Sequence, residues 1–219
     1  VGISGINAVA QILVGDVNPS GSLVDTYCYD NYSAPAMWNF TPSVYDGYVE
    51  GGDVPAKGST YMIYQEGIYV GYKYYETRYE DYVMGAGNAG DYAYGDIVAY
   101  PFGYGLSYTD FKFSDMTVNY NDALDVYTVA VKVTNTGAVA GKRTVQLYVQ
   151  SPYTDYDKQN GVEKAAVALV GFGKTGELAP GTSEIVTMNV NKRDIASYDT
   201  YGAGTYILAV SYTHLRAHE

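Results

Sequence analysis

Tyr127-Thr128-Val129-Ala130-Val131-Lys132-Val133-Thr134 is the stretch that decides the fold. Tyr127, Val129, Val131 and Val133 alternate with Thr128, Lys132 and Thr134, the period of two that sends successive side chains to opposite faces of a strand. Outward along the chain the pattern returns in Val145, Leu147 and Val149, and again in Val186, Met188 and Val190. Turn formers separate these runs: Asn135-Thr136-Gly137, Ala179-Pro180-Gly181 and Gly202-Ala203-Gly204. Short alternating strands at this spacing over ~100 residues specify an antiparallel β-sandwich. It is of the immunoglobulin or fibronectin III kind, occupies 111–210, and starts near residue 110.

Upstream the character differs. Residues 4–15 form an amphipathic helix, with Ile6, Val9, Ala10 and Leu13 at i, i+3, i+4 and i+7, Ser4 as N-cap and Gly15 as the left-handed stop. A turn-rich segment, Asp16 to Gly21, leads into a short extended run from Leu23 to Tyr29. Helix, turn and strand make one unit of a layered α/β domain, and one such unit cannot bury both its faces. Residues 1–30 are therefore expected to be the remnant of an incomplete α/β sandwich, exposing an apolar face. A chain opening on Val1-Gly2-Ile3 fits that expectation. Residues 31–110 are a Tyr-rich linking region. Its first half is irregular, Glu66–Glu76 is an aromatic strand-like run, and 84–95 is a glycine-rich loop without the strand–loop–helix context of a phosphate site. The fold class is mainly β.

Composition bounds the function. Hydrophobic residues make up 47% and charged residues 17%, a globular balance. Mean hydropathy is -0.16, and no apolar run approaches the ~20 residues of a membrane-spanning helix. A net charge of -11 disfavours nucleic acid and anionic membranes, both of which need a cationic face. It suits a neutral partner such as a sugar. Cys28 is the only cysteine, so no internal disulfide forms, and no histidine precedes position 214 to activate it. No cofactor and no metal set are expected. Tyrosine is unusually frequent, 27 of 219 residues; most should pack strands and loops, and a few should line a groove.

Glu66, Glu76 and Glu80 are carboxylates of the linking region that a catalytic pair could use. On an extended strand Glu66 and Glu76 would stand ~33 Å apart. Glu76 and Glu80 sit among Arg78 and Asp81, a solvated charge patch. None is assigned to catalysis. In the linking region Trp38, Tyr45 and Tyr64 are the candidate substrate-binding residues, against interdomain packing as the plainer role.

Four motifs carry a family resemblance. Gly15-Asp16-Val17-Asn18-Pro19-Ser20-Gly21-Ser22-Leu23 resembles the turn that closes the α/β sandwich domain of glycoside hydrolase family 3, the β-glucosidase type. Glu66 to Tyr75 and Tyr100-Pro101-Phe102-Gly103-Tyr104-Gly105-Leu106-Ser107-Tyr108-Thr109 are similar to two further segments of that family. Val131 to Gly137, with Gly141, is similar to the opening of its fibronectin type III-like domain. The bland roles of these motifs are turns at Pro19 and Gly21, and a bend at Pro101 and Gly103 where Phe102, Tyr104, Leu106 and Tyr108 pack a junction. The resemblance implies hydrolysis of β-glycosides with retention, by two carboxylates about 5–5.5 Å apart. It places the nucleophile, an Asp, in an N-terminal barrel, and the acid/base on a loop before the helix. Neither position lies in this chain, so no catalytic residue is carried over. The implied partners are a β-linked oligosaccharide or glycoside, bound by the complete enzyme, and the N-terminal domains of the same protein.

A different class remains open: a free-standing carbohydrate-binding or adhesion β-sandwich. Residues 211–219 break the strand pattern and read as a non-native tail, like translated adapter sequence. His214 and His218, at i and i+4, would make a metal pair on a helix, but are excluded from the chemistry with that tail.

Overall fold

A computed structural model describes residues 5–45, 60–208 and, for the backbone, 214–217. In chain order come helix α1 (Gly5–Leu13), strand β1 (Tyr27–Cys28), a 3-10 turn (Asn31–Ser33), α2 (Pro35–Trp38), β2 (Ser43–Val44) and β3 (Thr60–Tyr61). Helices α3 (Tyr72–Met84) and α4 (Tyr94–Ile97) follow, then β4 (Val98–Tyr100), β5 (Phe111–Asn121), β6 (Val126–Asn135) and β7 (Thr144–Gln150). The rest is α5 (Asp155–Asn160), β8 (Ala168–Lys174), β9 (Ser183–Asn191), a 3-10 turn (Lys192–Ile195), β10 (Ser197–Asp199), β11 (Thr205–Ile207) and β12 (His214–Ala217). Two compact units result, one of Val1–Val24 with Phe102–Glu219, the other of Asp25–Pro101.

The first unit holds the expected sandwich. One antiparallel sheet has the order β5-β6-β9, the other β12-β7-β8. In β6 the alternation works as the sequence requires: Val129, Val131 and Val133 are buried and face Val145, Leu147 and Val149 of β7. Cross-strand register sets Val129 beside Met188 and Val131 beside Val186. Gly171 and Gly173 lie opposite Leu147 and Val145 in β8. A Cβ on Gly173 would stand 2.5 Å from Val186 Cγ1, so the glycine is what lets the two sheets close. Strand β5 was not legible in the sequence because of a bulge. Its register to β6 shifts between Ser114 and Thr117, and Asp115 takes φ 53, near Lys132 at 3.7 Å.

Between β7 and β8 the chain makes an excursion pinned by charge. Thr154 caps α5 in a reciprocal capping box with Asp157. Asp157 then accepts from Lys164 Nζ at 2.7 Å, with side-chain exposures of 1% and 4%. A second buried carboxylate, Asp199, accepts from the Tyr156 hydroxyl (2.6 Å) and the Gly202 and Ala203 N–H groups (2.7 and 2.8 Å).

Helix α1 runs Gly5–Leu13, two residues short of the expected end at Gly15, and Ser4 lies outside the described residues. Gly15, at φ +85, supplies the left-handed stop. Its apolar face is not covered: Ile6, Val9 and Leu13 are exposed, Leu13 by 78%. Of the run expected from Leu23 to Tyr29, only Tyr27–Cys28 is strand.

The second unit corrects one expectation. The aromatic run through Glu76, expected as a strand, is helix from Tyr72 onward. Tertiary packing overrides the strand preference of aromatic residues. Tyr75 is buried with Tyr92 and Val98, and one turn later Arg78 donates to Asn88 Oδ1 (2.6 Å) and to the Asn88 and Ala89 carbonyls. Gly71 (φ 57) and Gly85 (φ 63) bracket the helix. The glycine-rich loop thus folds back on α3 under Arg78. Burial pushes the Tyr75 phenol up to about 12, helped by the neighbouring Cys28, and burial raises Tyr92 as well. Cys28 is half-buried against this cluster.

At the C-terminal end His214–Ala217 is a strand paired to Gln150–Leu147 of β7, and His218 lies outside the described residues.

Candidate functional site

The sandwich unit contains a joint built on two asparagines. After α1 and Gly15 the chain turns, and Asn18 projects across to two distant segments. Its Nδ2 donates to the Ala140 carbonyl (2.9 Å); its Oδ1 accepts from Ser107 Oγ (3.1 Å) and the Tyr108 N–H (2.8 Å). Four further bonds surround it. The Tyr108 hydroxyl reaches the Ile12 carbonyl near the end of α1 (2.7 Å), and Lys174 Nζ the Ser20 carbonyl (2.7 Å). Leu23 exchanges backbone bonds with Tyr104 (2.7 Å) and Gly103 (2.8 Å).

Asn135 is the second pin. It continues the inward row of Val129, Val131 and Val133 and is fully buried. Its amide donates to the Val139 and Leu178 carbonyls (both 2.8 Å) and accepts from Thr109 Oγ1 (2.6 Å) and the Gly137 N–H (3.1 Å). Every polar atom of this buried amide is used, as burial demands. Glycines admit the close approaches. A Cβ at Gly105 would stand 2.3 Å from the Gly21 carbonyl, and one at Gly141 2.6 Å from Asn18 Nδ2. Three of the four motifs singled out in the sequence therefore meet at one place. Leu106 and Tyr108, expected to pack there, stay exposed within this chain; polar atoms make the joint.

In the second unit the three candidate aromatics are surface residues. Trp38 ends α2 and is 75% exposed; its Nε1 donates to the Tyr32 carbonyl (2.8 Å), and the two rings meet edge to face at 6.3 Å. Tyr45 packs its ring 4.8 Å from Tyr61. Tyr64 is 79% exposed. Asn39 Nδ2 donates to Gln65 Oε1 (2.9 Å), which ties the residue after Trp38 to the residue after Tyr64. Tyr45 forms a separate pair with Tyr61.

Glu66, Glu76 and Glu80 sit on two different local structures. Glu76 accepts from the Tyr94 hydroxyl at 2.5 Å and lies one helical turn before Glu80 on α3. Glu66 stands before the helix, beside a cleft of only about 50 Å3 lined by Tyr69, Tyr74 and Tyr75. The extended-strand separation expected for Glu66 and Glu76 does not apply, because Glu76 is helical. Among the described residues no group of three His, Cys, Asp or Glu side chains is placed to hold a metal ion. No helix among them is long and apolar enough to cross a membrane.

In the sequence Asn18 and Asn135 read as turn formers. The signal that distinguishes Asn135 is its place in the buried row, where a lone amide must find four partners.

Comparison with known proteins agrees with this geometry. A fibronectin type III-like domain model matches residues 143–213. The chain is 36% identical to a β-glucosidase of Ruminococcus albus and 38% identical to β-glucosidase A of Butyrivibrio fibrisolvens. Each alignment takes in 92% of this chain, and 17% and 22% of the relative. Among solved structures, a β-glucosidase from Paenibacillus barengoltzii superposes with TM-score 0.72 at 35% identity, over 98% of this chain and 20% of that one. A family 3 β-glucosidase of Bifidobacterium adolescentis gives 0.69 at 25%, over 98% and 28%. The chain thus spans about a fifth of the length of the curated relatives it matches. By motif, fold and sequence the chain is similar to the C-terminal region of β-glucosidases, among them a glycoside hydrolase family 3 enzyme.

Proposed function

We propose that this chain is the bracing, non-catalytic part of a retaining β-glycosidase that acts on β-glucosides, with the nucleophile and the acid/base supplied by other parts of the same protein. The observation that carries this is the asparagine joint. It welds α1 and its turn to a fibronectin-like sandwich while the helix keeps its apolar face open, which is what a brace between larger domains requires. On this reading residues 1–30 close an α/β sandwich, 31–110 link, and 111–210 support. The experiment is to express the whole parent gene with and without the region corresponding to this chain. Hydrolysis of a chromogenic β-glucoside is expected from the whole protein and lost on deletion. Unchanged turnover after deletion would remove the bracing role.

Trp38 and Tyr64 are the residues of the second unit we assign to contact with the sugar or its leaving group, with Tyr45 as a third. Their exposure and the tie through Asn39 and Gln65 support that role, since a ring held in place stacks on a sugar at low entropic cost. In the whole enzyme Trp38→Ala is expected to raise KM for a disaccharide severalfold and leave kcat nearly unchanged.

A further inference from the structure

At the end of the sandwich unit that carries the β5–β6 turn lies an open cleft of about 420 Å3. Three segments distant in sequence build it: Leu124 and Asp125 from the turn, Asn191 at the end of β9 with Lys192 and Arg193 after it, and Tyr206 from β11. The size is that of small-molecule sites. Its polar groups are ordered. Lys192 Nζ bonds Asp125 Oδ1 (3.2 Å) and the Tyr120 hydroxyl (3.1 Å) and lies 5.4 Å from the Tyr120 ring centroid. Lys192 and Asp125 therefore cancel one another. Arg193 makes no ion pair with any described residue, and it lines the cleft in a chain whose net charge is -11. The aromatic wall is ordered too. Tyr206 is 68% exposed, yet its ring is braced edge to face against Tyr198 at 5.1 Å, and the Tyr198 hydroxyl is tied to the Gly204 carbonyl (3.2 Å).

A braced tyrosine ring takes the C–H face of a sugar, and an uncancelled guanidinium takes a carboxylate through two parallel hydrogen bonds. A neutral sugar would use only the ring, and a simple anion only the guanidinium. We propose that this cleft is a non-catalytic binding site for a sugar acid, a uronate unit of a glycan. The cleft belongs to the sandwich unit alone, so the inference stands apart from the glycosidase reading. Holding a uronate-bearing glycan against the sandwich unit is the use such a site serves.

The test is calorimetric titration of the 219-residue chain with D-glucuronate, D-glucose and acetate. Saturable binding of glucuronate is expected, with glucose and acetate each at least about tenfold weaker. Arg193→Gln and Tyr206→Ala, both at exposed positions, are each expected to weaken glucuronate by about tenfold, the scale of one lost charged hydrogen bond. Both should keep the parent melting temperature, and Tyr201→Ala, outside the cleft lining, should change nothing. Equal binding of glucuronate and glucose, equal binding of glucuronate and acetate, no saturable binding of glucuronate, or an Arg193→Gln variant that binds normally would each overturn the proposal.

Discussion

Asn135 stands where a fourth valine would continue the inward row of β6, and its amide instead ties Thr109, Gly137, Val139 and Leu178 together. Asn135→Leu would take the amide from the Val139 carbonyl, the Gly137 N–H and the Thr109 hydroxyl, while the Leu178 carbonyl keeps the Gly141 N–H. Urea unfolding is expected to register a loss of about 3 kcal/mol or more. Asp157 gives a pH prediction. Burial alone would raise its carboxyl, but the Lys164 ammonium and the Thr154 hydroxyl and N–H outweigh burial and hold it below the ordinary value. Asp199 is likewise lowered, chiefly by the Tyr156 hydroxyl and then by the Ala203 N–H. Other charges nearby are the exposed Asp155–Lys158 pair on the same helix. With a folded pKa below the unfolded one, the unfolded state binds more protons. The stabilisation is then complete above about pH 4 and is lost as pH falls through the depressed value. Urea midpoints measured from pH 6 down to 2.5 should fall in the parent chain. In Asp157→Asn they should start lower, because Lys164 is left buried without its counter-charge, and fall less.

At the scale of elements, the three alternating strands and the helix ending at Gly15 were legible because their side chains obey one period from end to end. What was not legible was periodicity broken by local geometry or overridden by neighbours. The Asp115 bulge flips the inward face of β5 midway, so its sequence never alternates cleanly. Helix α3 is rich in tyrosine, a strand former, and becomes helical because Tyr75 and Arg78 find partners one turn apart. Asn18 was visible only as a turn residue, since its partners lie 89 to 122 positions away. Strand β8 supplies the element-scale test. Gly173→Ala pushes a methyl to 2.5 Å from Val186 Cγ1, and the sheets must part or strain. The expected cost is about 1–3 kcal/mol in thermal or urea unfolding, while Gly181→Ala in a turn with open space acts through its positive φ alone.

For the whole molecule, the uncovered face of α1 is the property with the widest consequence. Ile6, Val9 and Leu13 form one exposed stripe, and Val14, Val17 and Val24 add apolar surface after it. The isolated chain should bind a hydrophobic dye, and Ile6→Ser with Leu13→Ser should lower that emission without lowering the melting temperature. An unchanged signal in the double variant would place the apolar surface elsewhere. The likeness to family 3 glycosidases could be read from motifs in order, but the purpose of those motifs could not, because three of them become one joint only after folding. The most direct measurement is an assay of the purified 219-residue chain with p-nitrophenyl β-D-glucoside. No release of nitrophenol above the buffer rate is the predicted result. Sustained turnover that copurifies with the chain would contradict the claim that its bond-breaking carboxylates lie elsewhere.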